Sequence, residues 1–388
     1  MKSLFLLLML MSFAVQAARY KVVGYVSGSG QPLTVTSVNA KKLTHVHYTF
    51  AHVMNGEVCF ADPTKDSINL SVLHSLQQIN PRLKVLVSIG GKDGSAGFPD
   101  AVRTDSTREK FIKSLLAFVK KYRLDGLELH WIAKARGMYG NSYSKSDQHN
   151  FALLIQQVRD ALDEQSIVEK RKKKNYYILS MMGSSKRQYL FRSELNVAQR
   201  YLDYITVQTY DYKVEILNSA GISDAAVTGH HCSLKLSYSD SWMRLCADKT
   251  IREYREYGIA RKKLILGIAF YGQGWINAYE QDNGLYQMSD GRLQEDLSYK
   301  NISANYFNNP SYEHYWDKHA KAPSLYNKKN GTFISYEDKK SIRKKTGYIR
   351  RKKLGGAVVS ECTQDANGIL LRSVRRGTHR ITIPYLFF

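Results

Sequence analysis

Asp125-Gly126-Leu127-Glu128-Leu129-His130-Trp131-Ile132 alternates with period two: Leu127, Leu129 and Trp131 share one wholly apolar face, and Glu128, His130 and Ile132 share the other. That period marks a β-strand, read here over Leu124 to Trp131. Moving outward, similar β-branched and aromatic runs recur at Lys21 to Val26, His45 to Ala51, Lys84 to Ile89, Tyr177 to Met182, Tyr204 to Thr209, Leu264 to Tyr271 and Gly356 to Ser360. Helical periodicity lies between them, as in Ser106 to Tyr122, where Phe111, Leu115, Phe118 and Val119 form one face, and in Asp147 to Leu162. Eight strand and helix units predict an α/β chain folded as a (β/α)8 TIM barrel. A doubly wound sheet would need a GxGxxG turn after the first strand, which Ser27 to Gly30 does not supply. In a barrel, Glu128, His130 and Ile132 point inward and the apolar trio packs on the helices.

Between the last two strands lie about 84 residues, far more than a crossover helix requires. An inserted α+β subdomain is expected over 276–335, with the barrel formed by 18–275 and 336–388. Ahead of it, Lys2, the apolar run Leu4 to Val15 and the small residues Ala17 and Ala18 have the layout of a secretory signal peptide over 1–17, which predicts an extracellular protein. No apolar stretch reaches the roughly 20 residues of a membrane span. In an oxidising compartment Cys59, Cys232, Cys246 and Cys362 can pair, and nearness in sequence favours Cys232 with Cys246. Their spacing has no zinc pattern, and neither a metal nor a cofactor is expected. Sequons start at Asn69, Asn301 and Asn330.

The ordered motifs resemble the chitinases of glycoside hydrolase family 18. They are Gly24-Tyr25, Tyr48-Thr49-Phe50-Ala51, Ser88-Ile89-Gly90-Gly91, the Asp125 to Ile132 segment, Thr209-Tyr210-Asp211-Tyr212, Thr228-Gly229-His230-His231, Phe270-Tyr271-Gly272, and Gly355-Gly356 with Glu361. The resemblance implies a strand-four signature DGxDxDxE whose final Glu is the general acid. The substrate's own acetamido group then replaces the usual nucleophilic carboxylate. Here Asp125 stands unchanged, Glu128 and His130 replace the two following Asp residues, and Ile132 occupies the acid's position. Isoleucine has no proton to give. His130 lies roughly 6.6 Å deeper along the strand, beyond hydrogen-bond reach of the scissile oxygen. The family's strand-eight Trp, a flat floor for a sugar ring, is Ser360, and its usual Met is Gln208. Tyr210 and Asp211 survive, either as a remnant of a ligand site or as structural ties across the barrel mouth.

The resemblance therefore implies a chitinase-like protein without its acid, acting as a glycan-binding or signalling protein. The alternative is a glycosidase with a rearranged site, using Glu128 or a carboxylate of the insertion. Ligand-binding candidates are Tyr25, Phe50, Gln208, Tyr210, Asp211, Tyr271 and Ser360.

The 388 residues carry 57 Lys+Arg against 34 Asp+Glu, a formal charge of +23 with 43% hydrophobic residues, which excludes a disordered chain and predicts an anionic partner. The cations gather just before the strands: Lys41 and Lys42; Arg82 and Lys84; Lys120, Lys121 and Arg123; Lys170, Arg171, Lys172, Lys173 and Lys174; Arg261, Lys262 and Lys263; Arg350, Arg351, Lys352 and Lys353. In a barrel such loops share the N-terminal end, so a basic face is expected there, with Arg375, Arg376 and Arg380 at its rim. The partners expected are a chitooligosaccharide-like or sulfated glycan, or another anionic surface. No nucleic-acid recognition motif accompanies the charge, and a monomer is expected.

Overall fold

The computed structural model describes residues 20–131, 145–191, 193–212, 214–216, 225–241 and 244–379. The segment 1–17 expected to be a signal peptide, Ile132 and Arg380 lie outside the described residues.

Eight parallel strands form the barrel: β1 (Lys21–Ser27), β2 (His45–Met54), β3 (Lys84–Gly90), β4 (Gly126–His130), β5 (Ile178–Gly183), β6 (Tyr204–Val207), β7 (Leu264–Ala269) and β8 (Gly356–Ser360). Each pairs with the next, and Lys21 opposite Gly356 closes the ring from β8 to β1. Closure requires strands to approach closely at Gly126, where a Cβ would lie 2.1 Å from the carbonyl oxygen of Ile178. That contact explains the glycine after Asp125 on backbone grounds.

The helices that cover the barrel include α1 (Pro63–Ile79), α2 (Asp105–Lys121), α3 (Lys145–Val168), α4 (Ala247–Glu256), α5 (Lys339–Lys352) and α6 (Ile369–Thr378). Local sequence sets their starts. Asp62 accepts the Lys65 N–H ahead of Pro63, and Thr104 with Thr107 forms a capping box on α2. The predicted face of α2, Phe111, Leu115, Phe118 and Val119, is buried in the main core together with Leu127, Leu129 and Trp131 of the fourth strand segment. Trp131 stacks on Phe98 with ring centroids 5.5 Å apart. The apolar parity of the opening stretch thus faces the helices.

Backbone hydrogen bonds link the loops at the N-terminal end of the barrel into a belt: Thr44 N–H to Val22 O, Lys84 to Thr44, Asp125 to Val85, Ile178 to Asp125, Asp203 to Leu179, Gly355 to Leu264 and Lys21 to Gly355. Asp125 reinforces it, accepting from Val85 N–H and Lys84 Nζ, both at 2.9 Å, and from Gln77 Nε2 at 3.2 Å. It acts as a staple at the opposite end from the mouth.

Between β7 and β8 an antiparallel five-stranded sheet runs in the order Gly291–Arg292, Gln273–Ile276, Thr332–Ser335, Ala322–Asn327, Glu313–Asp317. With the helix Tyr299–Asn305 it encloses Ile302, Leu325 and Ile334. A buried ion pair, Lys345 with Glu337, ties α5 to the end of this segment, and Lys345 also donates to the Cys232 carbonyl. All four cysteines are free thiols, so the bridge expected between Cys232 and Cys246 is not formed. Cys232 instead sits fully buried with its Sγ 3.6 Å from Tyr336 O. The sequon at Asn69 is buried as well: its side chain accepts Leu33 N–H and donates to the Tyr48 hydroxyl.

Candidate functional site

β4 sends Glu128 into the barrel, level with Ser88 on β3 and Ser180 on β5. Its carboxylate is fully buried and receives hydroxyl donors from three strands: Tyr25 at 3.0 Å to both oxygens, Ser88 at 2.6 Å and Thr206 at 2.6 Å. His47 Nδ1 of β2 lies 3.3 Å away, and its Nε2 is 2.8 Å from the Tyr204 hydroxyl. Burial opposes the charge on Glu128, but His47 and the hydroxyl donors outweigh it and hold the carboxyl down at about 2. The group is therefore ionised at neutral pH. Tyr25, read as a ligand candidate, spends its hydroxyl here and is buried.

One turn of the pleat nearer the mouth is His130, opposite Gly90 and 9% exposed. Phe50 meets its ring edge-on at 5.1 Å between centroids. The Nδ1 atom is buried with no hydrogen-bond partner among the described residues. Burial lowers its pKa to about 4, with the Glu128 charge opposing, so the imidazole is neutral at pH 7. The sign of the resulting pH dependence follows. A folded value below the ordinary 6.5 gives a contribution fully present above pH 6.5 that is lost as the pH falls to about 4. It amounts to at most about 3 kcal/mol. Urea titrations at stepped pH should show His130→Phe with a shallower loss of stability across that window than the parent. Parallel profiles would remove the assignment.

A second polar group closes the mouth between β6 and β7. Asp211 accepts from Tyr271 at 2.8 Å, Gln273 at 2.6 Å and Gln208 at 3.2 Å, with His231 Nδ1 at 3.8 Å. Burial works against its charge, yet His231, Tyr271 and Gln273 hold the carboxyl below the usual range. Tyr210 is buried beside Tyr271, and the Ser360 side chain hydrogen-bonds it. Two cavities flank this centre. One of about 360 Å³ is lined by Ser27, Thr49, Phe50, Lys65, Asp66 and Lys92. The other, about 650 Å³, runs from Asp211 and Tyr271 to Arg292 and Glu295 of the insertion.

The structure therefore gathers Phe50, Gln208, Tyr210, Asp211, Tyr271 and Ser360 around the mouth, and separates Asp125 from them. Sequence reasoning missed His47, Thr206 and Gln273, and named His231 only as part of a motif. His45, His47 and Thr49 share one parity on β2, a signal that polar groups there face inward. Of the basic candidates, several are already engaged. Arg171 pairs with Glu169 at 2.7 Å and covers the Tyr177 ring, Lys263 donates to the Gln199 and Leu202 carbonyls, and Arg350 donates to the Gly377 carbonyl. Lys41, Lys120, Lys121, Arg123, Lys170, Lys172, Lys173, Lys174, Arg261, Lys262, Arg351, Lys352 and Lys353 are exposed, and Lys42 is half-buried. No group of three or more metal-ligating side chains occurs among the described residues.

The sequence profile of glycosyl hydrolases family 18 matches residues 21–365. Chitinase A1 of Niallia circulans is 30% identical over 96% of this chain, which spans 61% of that protein. An N-acetylglucosaminidase of the family from Paenibacillus barengoltzii superposes with a TM-score of 0.80 at 32% identity, covering 92% of this chain and all of that one. Chitinase ChiA74 from Bacillus thuringiensis gives 0.83 at 28% identity over 93% of this chain and 70% of its own. With its closed parallel barrel and the profile match over most of its length, the chain belongs to glycosyl hydrolases family 18.

Proposed function

We propose that the chain is a secreted, non-hydrolytic member of family 18 that binds a saccharide at the barrel mouth in a recognition or signalling role. The observation that carries this reading is the state of Glu128. A general acid must hold a proton at working pH and reach the leaving oxygen. Glu128 is an anion held at about 2, enclosed by hydroxyls and fully buried. His130 is neutral, and the position where the family's acid is expected is Ile132. Binding is supported by the mouth itself, where Asp211 is charged and held by Tyr271, Gln273 and Gln208, with Tyr210 beside Tyr271. Since the relatives are named as chitinases and an N-acetylglucosaminidase, a chitooligosaccharide is the first ligand to test.

Chitotetraose incubated with the protein and followed by mass spectrometry is expected to stay intact. Calorimetry should show binding that Asp211→Asn weakens roughly tenfold, as loss of a charged hydrogen-bond acceptor does. Cleavage would overturn the reading. One observation favours the competing hydrolase: burial raises the carboxyl of Glu361, at the end of β8, with Thr363 opposing. Turnover abolished by Glu361→Gln would establish that residue as the acid.

A further inference from the structure

We propose that the N-terminal face of the barrel docks onto an anionic lipid bilayer. Lys41, Arg123, Lys173, Lys262 and Lys353 stand on five separate connections leading into β2, β4, β5, β7 and β8, and all five are exposed. The belt of backbone hydrogen bonds holds these loops at one end of the barrel. Three acids of that end are paired: Asp125 with Lys84 at 2.9 Å, Glu169 with Arg171 at 2.7 Å and Asp203 with Arg159 at 3.3 Å. The exposed cations far outnumber the exposed acids there, Glu164 near the end of α3 and Glu256 at the end of α4, and leave a net positive field.

The arrangement of the charge and what lies within it select the partner. A sulfated glycan or a nucleic acid is a line of anions and engages one or two such loops at a time, whereas a bilayer presents a plane of anions to all of them. Aliphatic side chains also stand exposed on the same face. Ile167 and Val168 end α3 at 63% and 68% exposure, directly before the run Lys170 to Lys174, and Ile79 ends α1 at 49%. A polymer of sulfates leaves such groups in water. The boundary between headgroups and acyl chains removes them from it. Attachment would be peripheral, because among the described residues no helix is long and apolar enough to cross a membrane.

The test is co-sedimentation of the full chain with phosphatidylcholine vesicles, with and without phosphatidylglycerol, at low and at physiological salt. Binding is expected only with phosphatidylglycerol, and it should weaken as salt screens the field. Replacing Lys172, Lys173 and Lys174 with Gln should lower vesicle affinity on the order of a hundredfold, from the worth of each cation near an anionic leaflet. Ile167→Ser with Val168→Ser should lower vesicle binding while leaving retention on heparin unchanged, which separates lipid from a soluble polyanion. All these positions are exposed, and unchanged melting curves would show the variants folded. Retention on heparin without vesicle binding, or vesicle binding that survives either replacement, overturns the proposal. No residue of this face belongs to the mouth, so the saccharide reading and this one fail separately.

Discussion

A Glu128→Ala chain is expected to unfold with about 3–5 kcal/mol less free energy than the parent, the cost of removing one partner from a buried charged cluster. The loss arises because Tyr25, Ser88, Thr206 and His47 all point at one carboxylate. Four separate orphans would sum higher, at about 1–3 kcal/mol each. The Tyr25 and Thr206 hydroxyls lie 2.9 Å apart, however, and can satisfy one another, which keeps the total near the value for a single broken pair. The anion also leaves a pH signature. Its carboxyl is depressed from the ordinary 4.5 to about 2, so its contribution is full above pH 4.5 and disappears as the pH falls through about 2. Glu128→Gln keeps the shape of the side chain and should flatten the acid limb of the stability profile over that window. Urea titrations from neutral to acid pH measure both effects. Parent-like stability of Glu128→Ala would mean that the cluster does not hold the barrel together.

The same residue shows where sequence reading reaches its end. Parity alone placed Glu128 inside the barrel, since a period of two leaves only two faces and the other face was wholly apolar. Parity says nothing of which groups meet it there. Tyr25 is 103 residues upstream and Thr206 is 78 downstream, and only barrel closure brings them across the axis. The strand rhythm was legible because it is local: six of the eight strands start where expected, and no end is off by more than three residues. β8 matches at both ends. The cationic loops were legible as a list for the same reason. Arg171, Lys263 and Arg350 were not separable from their neighbours, because the carbonyls and ring that engage them are set by helix ends and by packing. Likewise the nearness of Cys232 and Cys246 in sequence carries no information on side-chain direction, which is what a disulfide demands.

Restoring the acid is the prediction with the greatest consequence for function. Ile132→Glu combined with His130→Asp rebuilds the signature that the family resemblance implies at all but the Glu128 position, and it should raise chitotetraose hydrolysis by about 10² to 10⁴ over the parent. Each change has its own warrant. The first supplies a proton donor at the position expected to face the leaving oxygen. The second replaces a neutral imidazole whose Nδ1 has no partner among the described residues with a carboxylate able to orient an acetamido group. It also places a second carboxylate two residues from Glu128 on the same strand face, and like charges at close range raise one carboxyl pKa. His47 and the hydroxyl cage already stabilise Glu128, so the carboxyl introduced by His130→Asp is the one that takes up the shift. Ile132→Glu alone should recover less, because the intermediate's acetamido group would lack its partner. Adding Ser360→Trp should lower KM more than it raises kcat, since a stacking floor binds ground state and transition state alike. Product ladders read by mass spectrometry decide the matter. A folded triple variant that cleaves nothing would show that Tyr210, Asp211 and Tyr271 no longer stand where a substrate needs them, and that the mouth has diverged beyond the loss of its acid.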